Sequence, residues 1–181
     1  RTNETNLTIQ TDAIEGPVPP TSMDLVQGVG VFLDSRLDFS PAKANASSTI
    51  GISISPPMQM NIGDQVIIHL PGFAGDEFRE DNISSLDYTR SLSYMIGNES
   101  YISYTNYVGG TKVNMTWNNT ASQLAIVFTS PAPATANLRF ECSQSLGIRL
   151  PVLGVRTNQA TLMISSSAKA GPVPATSVNT T

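Results

Sequence analysis

The sequence predicts an all-β protein: an antiparallel, immunoglobulin-like β-sandwich of about ten short strands with extended terminal junction segments. Apolar and polar residues alternate with a period of two in many short stretches, and turns rich in Gly, Pro and Asn separate these stretches. The chain has 21 serines and 18 threonines but only 13% charged residues. Typical soluble domains carry about 25% charged residues. Polar residues that favour helices are therefore scarce.

The alternating stretches place the predicted strands in chain order. The clearest is 49–55, where Ile50, Ile52 and Ile54 share one face. Turns are predicted at Pro56-Pro57, Gly109-Gly110 and other Gly, Pro and Asn pairs. The predicted strands are 28–33, 49–55, 65–70, 91–96, 101–107, 112–117, 123–129, 136–142, 147–150 and 160–165.

Composition and charge exclude several classes of partner. No apolar run approaches the roughly 20 residues of a membrane-spanning helix, so we expect no membrane insertion. The net charge is −4, which argues against nucleic acid or an anionic membrane surface as partner. A length of 181 residues suits one large domain with short extensions.

An internal repeat predicts how the chain is organised. Residues 7–23 and 162–178 align without gaps at an offset of 155 residues, with nine of 17 positions identical. We therefore divide the chain into a copy of the closing strand (1–15), a sandwich repeat (16–170) and the start of the next Pro-rich junction (171–181). The predicted assembly-junction residues are Leu7, Ile9, Gly16, Pro17, Val18, Pro19, Leu162, Ile164, Gly171, Pro172, Val173 and Pro174.

The two junctions have a physical interpretation. Leu7 and Ile9 alternate as in a strand, and the Gly-Pro-Val-Pro run that follows is predicted to be a stiff polyproline-II spacer. A sandwich has one place for its closing strand, and this chain carries two copies. One copy is therefore expected to pair with a neighbouring unit, either by continuation of one polypeptide or by strand donation.

Asn-x-Ser/Thr sequons indicate a secreted glycoprotein of the cell surface or extracellular space. Eight of the 13 asparagines lie in sequons, whereas random placement of the hydroxyl residues gives about three. In the strand 112–117, Asn114 is predicted to face away from the side that carries Val113, Met115 and Trp117. The eight are Asn3, Asn6, Asn45, Asn82, Asn98, Asn114, Asn118 and Asn179.

The only cysteine, Cys142, alternates with Leu138 and Phe140 and is predicted to be a buried, inert thiol, with an intermolecular disulfide as the alternative. The chain begins at Arg1 without a methionine or an apolar signal segment. We expect a processed product or a segment of something longer.

The central part of the chain resembles a known type of repeat. A strand and a short turn lead to Gly63-Asp64, an apolar strand and Leu70-Pro71-Gly72-Phe73; Trp117 and the closing Leu-x-Ile strand follow. Together these landmarks resemble a repeat of very large secreted proteins of microalgae and related protists, over most of 16–171. The resemblance implies extracellular tandem β-sandwiches in glycosylated surface fibrils, and it implies no catalytic activity.

No motif in the sequence predicts an enzyme. His69 is the only histidine, so neither a catalytic triad nor a multi-ligand zinc site has the residues it needs. His69 is predicted to lie on a sheet face opposite Ile68 and Leu70. The acidic run from Asp76 to Asp81 is interpreted as a solvated loop, with Ca²⁺ binding as the alternative. We expect no cofactor beyond N-linked glycans.

These observations predict a structural subunit of an N-glycosylated extracellular filament that assembles end to end with copies of itself or adjacent repeats. The alternative is a carbohydrate-binding adhesin module on a stalk. It would use acidic and aromatic groups around residues 76–107, where tyrosines can stack on sugars. Core packing and strand propensity also explain these tyrosines, which are Tyr88, Tyr94, Tyr101, Tyr104 and Tyr107.

Overall fold

The computed structural model describes residues 8–22, 30–85, 89–96, 99–106 and 110–180, and these form an all-β protein. The predicted fold class is confirmed. One short 3-10 helix, Gln144–Leu146, accompanies fourteen strands in the described part. The strands are β1 (Thr8–Thr11), β2 (Val18–Ser22), β3 (Asp34–Ser40), β4 (Thr49–Ser55), β5 (Gln65–His69), β6 (Phe78–Ser84), β7 (Thr89–Ile96), β8 (Glu99–Asn106), β9 (Lys112–Asn118), β10 (Gln123–Phe128), β11 (Leu138–Cys142), β12 (Met163–Ser166), β13 (Val173–Ser177) and β14 (Asn179–Thr180).

Two sheets pack against each other to form the sandwich body, which comprises the described residues from 30 to 180. The six-stranded sheet has the order β13-β12-β5-β10-β9-β6, and the four-stranded sheet has the order β11-β4-β3-β14. Pairing is antiparallel except between β14 and β3, which run in the same direction. Two separate hairpins, β1-β2 and β7-β8, form two-stranded sheets of their own.

One hydrophobic core fills the space between the two sheets. The alternation of β9 buries Val113, Met115 and Trp117, and that of β10 buries Leu124, Ile126 and Phe128. From the opposite sheet, β4 and β11 contribute their own apolar faces, and Phe128 and Phe140 meet edge to face with ring centroids 6.3 Å apart. The period-two pattern of the sequence therefore identifies the core-facing positions correctly.

Three predicted elements differ from the structure. Residues 30–33 form a loop, and the strand begins at Asp34; residues 28 and 29 lie outside the described part. Residues 147–150 take part only in isolated bridges at Arg149. The acidic run predicted as a loop instead enters β6. In β3 and β6, charged residues occupy the outward positions, so low apolar content concealed the strand pattern.

The prediction of a polyproline-II spacer at each Gly-Pro-Val-Pro run is wrong. Val18–Ser22 and Val173–Ser177 are strands, each paired with the strand that precedes it. Proline is tolerated there because each strand has a neighbour on only one side, and the missing N–H can face the open edge. This pairing crosses the predicted boundaries at 15/16 and 170/171.

Candidate assembly site

Two hairpins in the chain share one backbone design. The N-terminal hairpin comprises residues 8–22, and the C-terminal hairpin comprises residues 163–177. Each contains three registered pairs, with a register shift between the second and third pair. The pairs are Thr8↔Ser22, Ile9↔Thr21 and Thr11↔Val18 in the first, and Met163↔Ser177, Ile164↔Thr176 and Ser166↔Val173 in the second. Every pair matches its counterpart at the 155-residue offset.

The same side-chain hydrogen bond bridges the register shift in both hairpins. The backbone N–H of Val18 donates to Oγ1 of Thr11 over 3.2 Å. The backbone N–H of Val173 donates to Oγ of Ser166, also over 3.2 Å. The residue identity differs, but a hydroxyl acceptor is present in each copy. This hydroxyl satisfies an N–H group that the shifted ladder would leave without a backbone partner.

Both hairpins also turn on an equivalent glycine. Gly16 has a φ of 156° and donates its N–H to the carbonyl of Ala13 over 3.1 Å. Gly171 has a φ of 157° and donates to the carbonyl of Ala168, again over 3.1 Å. Side chains disfavour a positive φ of this size, which explains why glycine occupies both positions. The local sequence therefore encodes the complete hairpin, including its turn.

The two hairpins differ in what covers them. The C-terminal hairpin continues the six-stranded sheet, with β12 paired to β5, and Ile164 and Val173 are 0% and 3% exposed. In the N-terminal hairpin, Ile9 is 59% and Val18 is 47% exposed. Every residue from 8 to 21 is exposed. The chain thus contains one hairpin in a packed position and a second copy whose apolar face is uncovered.

The surface that receives the C-terminal hairpin is the docking edge, defined as β5 (Gln65–His69) together with Asp64 and Met58. Strand pairing supplies most of the contact, with Ile164 opposite Ile68. The carbonyl of Gln65 accepts the N–H of Ser167 over 2.9 Å. The buried carboxylate of Asp64 accepts the N–H of Lys169 over 3.1 Å through Oδ1. It also accepts the N–H of Asn61 over 2.7 Å through Oδ2, which fixes its position.

The positions at which the two copies differ in sequence are related to which residues of the C-terminal copy are buried. Six positions of 162–178 are buried: Leu162, Ile164, Ser166, Ala168, Val173 and Val178. Their counterparts are Leu7, Ile9, Thr11, Ala13, Val18 and Met23. Four are identical, and the other two keep a hydroxyl or an apolar side chain. The changes in polarity or charge avoid the buried positions: Ile14 for Lys169 and Glu15 for Ala170 are at exposed positions, and Thr8 for Met163 is at a half-buried one.

The repeat is longer than the sequence comparison of 7–23 with 162–178 found. Arg1-Thr2-Asn3 is identical to Arg156-Thr157-Asn158 at the same offset, and the aligned segment becomes 1–23 with 156–178. Asn158 exchanges hydrogen bonds with Thr180, so this extension belongs to the packed end of the body. Extending the alignment past its mismatched residues 4–6 would have found it.

The predicted junction residues divide between the two hairpins. Ile9, Gly16, Pro17, Val18 and Pro19 lie in the exposed copy. In the packed copy, Leu162, Ile164 and Val173 are buried, Gly171 is half-buried against Met58, and Pro172 and Pro174 are exposed. Leu7 lies outside the described residues.

Three of the sequon asparagines have exposed side chains on the body. Asn45, Asn118 and Asn179 are exposed. Asn45 occupies a left-handed turn with a φ of 56°. The prediction that Asn114 points away from the core is confirmed, because it alternates with the buried residues of β9. Asn82 lies on β6. Asn3, Asn6 and Asn98 lie outside the described residues.

Cys142 faces the core, as predicted, and is fully buried. Burial raises the pKa of its thiol to about 12, with a smaller contribution from the negative charge of Glu80. The thiolate that would react or cross-link is therefore suppressed at neutral pH.

His69 lies on the outer face of the six-stranded sheet, as predicted, where its Nδ1 is 3.4 Å from Nε2 of Gln123. It lines an open, largely apolar cavity of about 280 Å³ with Pro71, Met163 and Ala175. The hydrogen bond to an amide provides no acid-base partner for catalysis.

The acidic run from Asp76 to Asp81 does not form a cluster of carboxylates around one point. Asp81 pairs with Arg79 over 2.9 Å, and Glu80, between them, lies opposite Met115 of β9, where the register of β6 shifts. Within the described residues, no group of three metal-ligating side chains is close enough to hold a metal ion. The side chains of the tyrosines in 88–107 lie outside the described part. No helix among the described residues is long and apolar enough to cross a membrane.

Comparison of the chain with protein-family models, curated proteins and solved structures finds no significant match.

Proposed function

We propose that this chain is a structural unit of an N-glycosylated extracellular filament or surface fibre, joined end to end through the duplicated hairpin. One observation carries the proposal: the N-terminal hairpin is a complete copy of a packed element, yet its apolar face is exposed. Large exposed apolar patches mark interaction sites, and here Ile9 and Val18 are exposed at the two positions that are buried in the packed copy. The packed position of the hairpin's counterpart supports the docking edge of another unit as the partner surface.

The contacts of the C-terminal hairpin specify how the N-terminal hairpin would dock. Ile9 would lie where Ile164 lies, opposite Ile68 of the neighbouring unit. The N–H of Ile14 would donate to that unit's Asp64, as Lys169 does within the chain. Added to β5, the hairpin extends a sheet by main-chain hydrogen bonds, and side-chain pockets provide the specificity. Because the buried positions match, a docking edge that is free of its own hairpin needs no change of residues to accept this one.

Continuation of one polypeptide is the favoured route to this contact. Each body already holds its own C-terminal hairpin at the docking edge, so a hairpin from a separate chain would have to displace it. In a tandem array, residues 1–23 are instead the C-terminal hairpin segment of the preceding repeat. The 155-residue offset is then the length of one repeat.

The sequons support an extracellular location for such an array. The described sequon asparagines with exposed side chains are distributed over the surface of the body, and none of them lies on β5. Glycans at these positions would leave the docking edge clear. They would also supply hydration that a chain with 13% charged residues lacks.

A two-repeat chain tests the proposal. Residues 30–155 are followed directly by residues 1–181, so that Arg1 takes the place of Arg156 in the first repeat. Ile9→Asp should destabilise the first body, because it places a charge where Ile164 is fully buried in the second. The same substitution should leave the single chain unchanged. Urea unfolding with a probe in each body measures both effects.

Gln10→Asp is the matched control, because its counterpart Ser165 points to the outer face of the sheet. It should leave both bodies of the two-repeat chain unchanged. The proposal fails if Ile9→Asp leaves the first body as stable as it was. If the proposal is right, negative-stain images of longer arrays should show filaments whose length increases by a constant amount per repeat.

Sequon occupancy tests the extracellular part of the proposal separately. The chain secreted from a eukaryotic host should carry N-glycans at Asn45, Asn118 and Asn179, measured by mass spectrometry after enzymatic removal of the glycans. Complete absence of glycans from these three exposed sites would contradict it.

A further inference from the structure

The first and last strands of the sandwich body lie side by side and run in the same direction. β14 pairs with β3 in parallel, with Asn179 opposite Arg36 and Thr180 opposite Leu37. The other strand pairings of the described residues are antiparallel. The chain therefore enters the body at one end of this strand pair and leaves it towards the other.

Side-chain and backbone hydrogen bonds fix the last strand to the neighbouring loop. Oγ1 of Thr180 accepts the N–H of Asn158 over 2.7 Å and donates to the carbonyl of Arg156 over 3.0 Å. The N–H of Thr180 donates to Oδ1 of Asn158 over 3.3 Å. Thr180 is 3% exposed, so water does not compete easily for these bonds. The residue before this strand, Val178, donates its N–H to the carbonyl of Leu162 over 3.0 Å.

This arrangement determines how the body responds to tension along the chain. Pulling the entering and leaving segments apart drives β3 and β14 past each other, so their hydrogen bonds and those of Thr180 carry the load together. In the β1-β2 and β12-β13 hairpins, by contrast, the two free ends lie at the same end of the ladder. Tension opens such hairpins one pair at a time, which needs less force.

We propose that β3, β14 and the hydrogen bonds of Thr180 form a terminal clamp that gives the body a mechanical function, resistance to stretching along the chain. The use of this resistance in a fibre rests on the proposed function. The clamp itself does not, because it lies within one body. Force must break the clamp before it reaches the C-terminal hairpin, which would otherwise open from its free end.

Single-molecule stretching of the full chain between handle proteins at both termini tests the clamp. Thr180→Val removes both hydroxyl bonds while keeping the shape of the side chain. We expect its unfolding rate at constant force to rise about tenfold, because forced unfolding follows the unfolding barrier. The N-terminal hairpin should open earlier in the same trace.

A second pulling direction is the matched control. A handle attached through Leu153→Cys, in a turn where Leu153 is almost fully exposed, applies force from the N-terminus without loading β14. In that geometry the wild-type body should unfold faster at the same force, and Thr180→Val should change its unfolding rate much less. Native Cys142 is buried and does not compete for the handle.

The clamp is overturned if Thr180→Val changes the unfolding rate equally in both pulling directions, or in neither. Asn158→Gly provides a second variant if Thr180→Val does not fold. It removes the Oδ1 acceptor and keeps the positive φ of 53° accessible; the same dependence on pulling direction is expected. Because single molecules are stretched, failure of the clamp leaves the docking of the hairpin untouched, and the converse also holds.

Discussion

The two hairpins of this chain have the same pairs, the same register shift and the same glycine turn, yet one is buried and the other is exposed. The comparison distinguishes the conformation of the hairpin from its burial. The conformation of the hairpin is encoded locally, because it forms with and without a sheet beside it. Its burial is supplied by β5, Asp64 and Met58, which the N-terminal copy does not contact within its own body.

The comparison also explains which residues can differ between the copies. Positions that are buried in the packed copy keep an apolar side chain or a hydroxyl, whereas exposed positions exchange Lys for Ile and Ala for Glu. An element that served only as a solvent-exposed hairpin would have no physical need for Ile9 and Val18 on one face. The exposed copy therefore retains the surface of an element that packs.

Truncating the central isoleucine should give the largest difference in stability loss between the two copies. Ile164→Ala should lower the free energy of unfolding by about 2–5 kcal/mol, because it removes a fully buried side chain and leaves a cavity. Ile9→Ala should change it by less than about 0.5 kcal/mol in the single chain. Urea denaturation of both variants measures the difference, and equal losses would show that the N-terminal hairpin already packs on the body.

Adding a methyl group to the turn glycine should give a smaller difference in stability loss between the two copies. A Cβ at Gly171 would collide with Sδ and Cε of Met58, whereas a Cβ at Gly16 would meet no atom within 4 Å. The backbone strain of a positive φ is the same in both. Gly171→Ala should therefore cost about 1–3 kcal/mol more than Gly16→Ala in thermal or urea unfolding. Equal costs would mean that Met58 moves aside without loss of packing.

Removing the hydroxyl that bridges the register shift should give a still smaller difference. Ser166→Ala leaves the buried N–H of Val173 without its acceptor and should cost about 1–2 kcal/mol. Thr11→Val removes the equivalent bond, but water can reach the exposed N–H of Val18, so its effect should be close to zero. Ser167→Ala, at an exposed position beside Ser166, is the control and should be neutral.

Thiol reactivity should report whether the N-terminal hairpin is exposed or docked. Ile9→Cys places a thiol on the exposed hairpin, and it should react with maleimide at pH 8 at the rate of an ordinary cysteine. Cys142 should stay unmodified, because its pKa is raised to about 12 and it is buried. In the two-repeat chain, the cysteine at position 9 should become protected. Mass spectrometry of the intact protein counts the modified thiols.

The period-two pattern predicted the fold class, the faces of β4, β9 and β10, and the burial of Cys142, because apolar alternation reports directly on a two-sided strand. It missed β3 and β6, whose outward residues include Arg36 and Asp81, because charge there resembles a loop. The repeat correctly indicated two copies of one element. The Gly-Pro-Val-Pro run in each copy was predicted to form a spacer, whereas its Val and last Pro begin the second strand of a hairpin. The division of the chain placed the second copy within the repeat 16–170, but apolar pattern alone does not distinguish the copies, since the positions buried in one are apolar or carry a hydroxyl in both.

A disulfide in the two-repeat chain tests the central claim most directly. Met163 and His69 are paired across β12 and β5, and antiparallel partners have Cα atoms about 4.5–5.5 Å apart, within the range that a disulfide spans. Thr8→Cys combined with His69→Cys in the first body should therefore cross-link under mild oxidation, seen as a shift on a non-reducing gel. Thr8→Cys with His69→Cys in the second body should not, because Met163 occupies that position. Absence of the first cross-link, or equal formation of both, would contradict the docking of the N-terminal hairpin on the preceding unit.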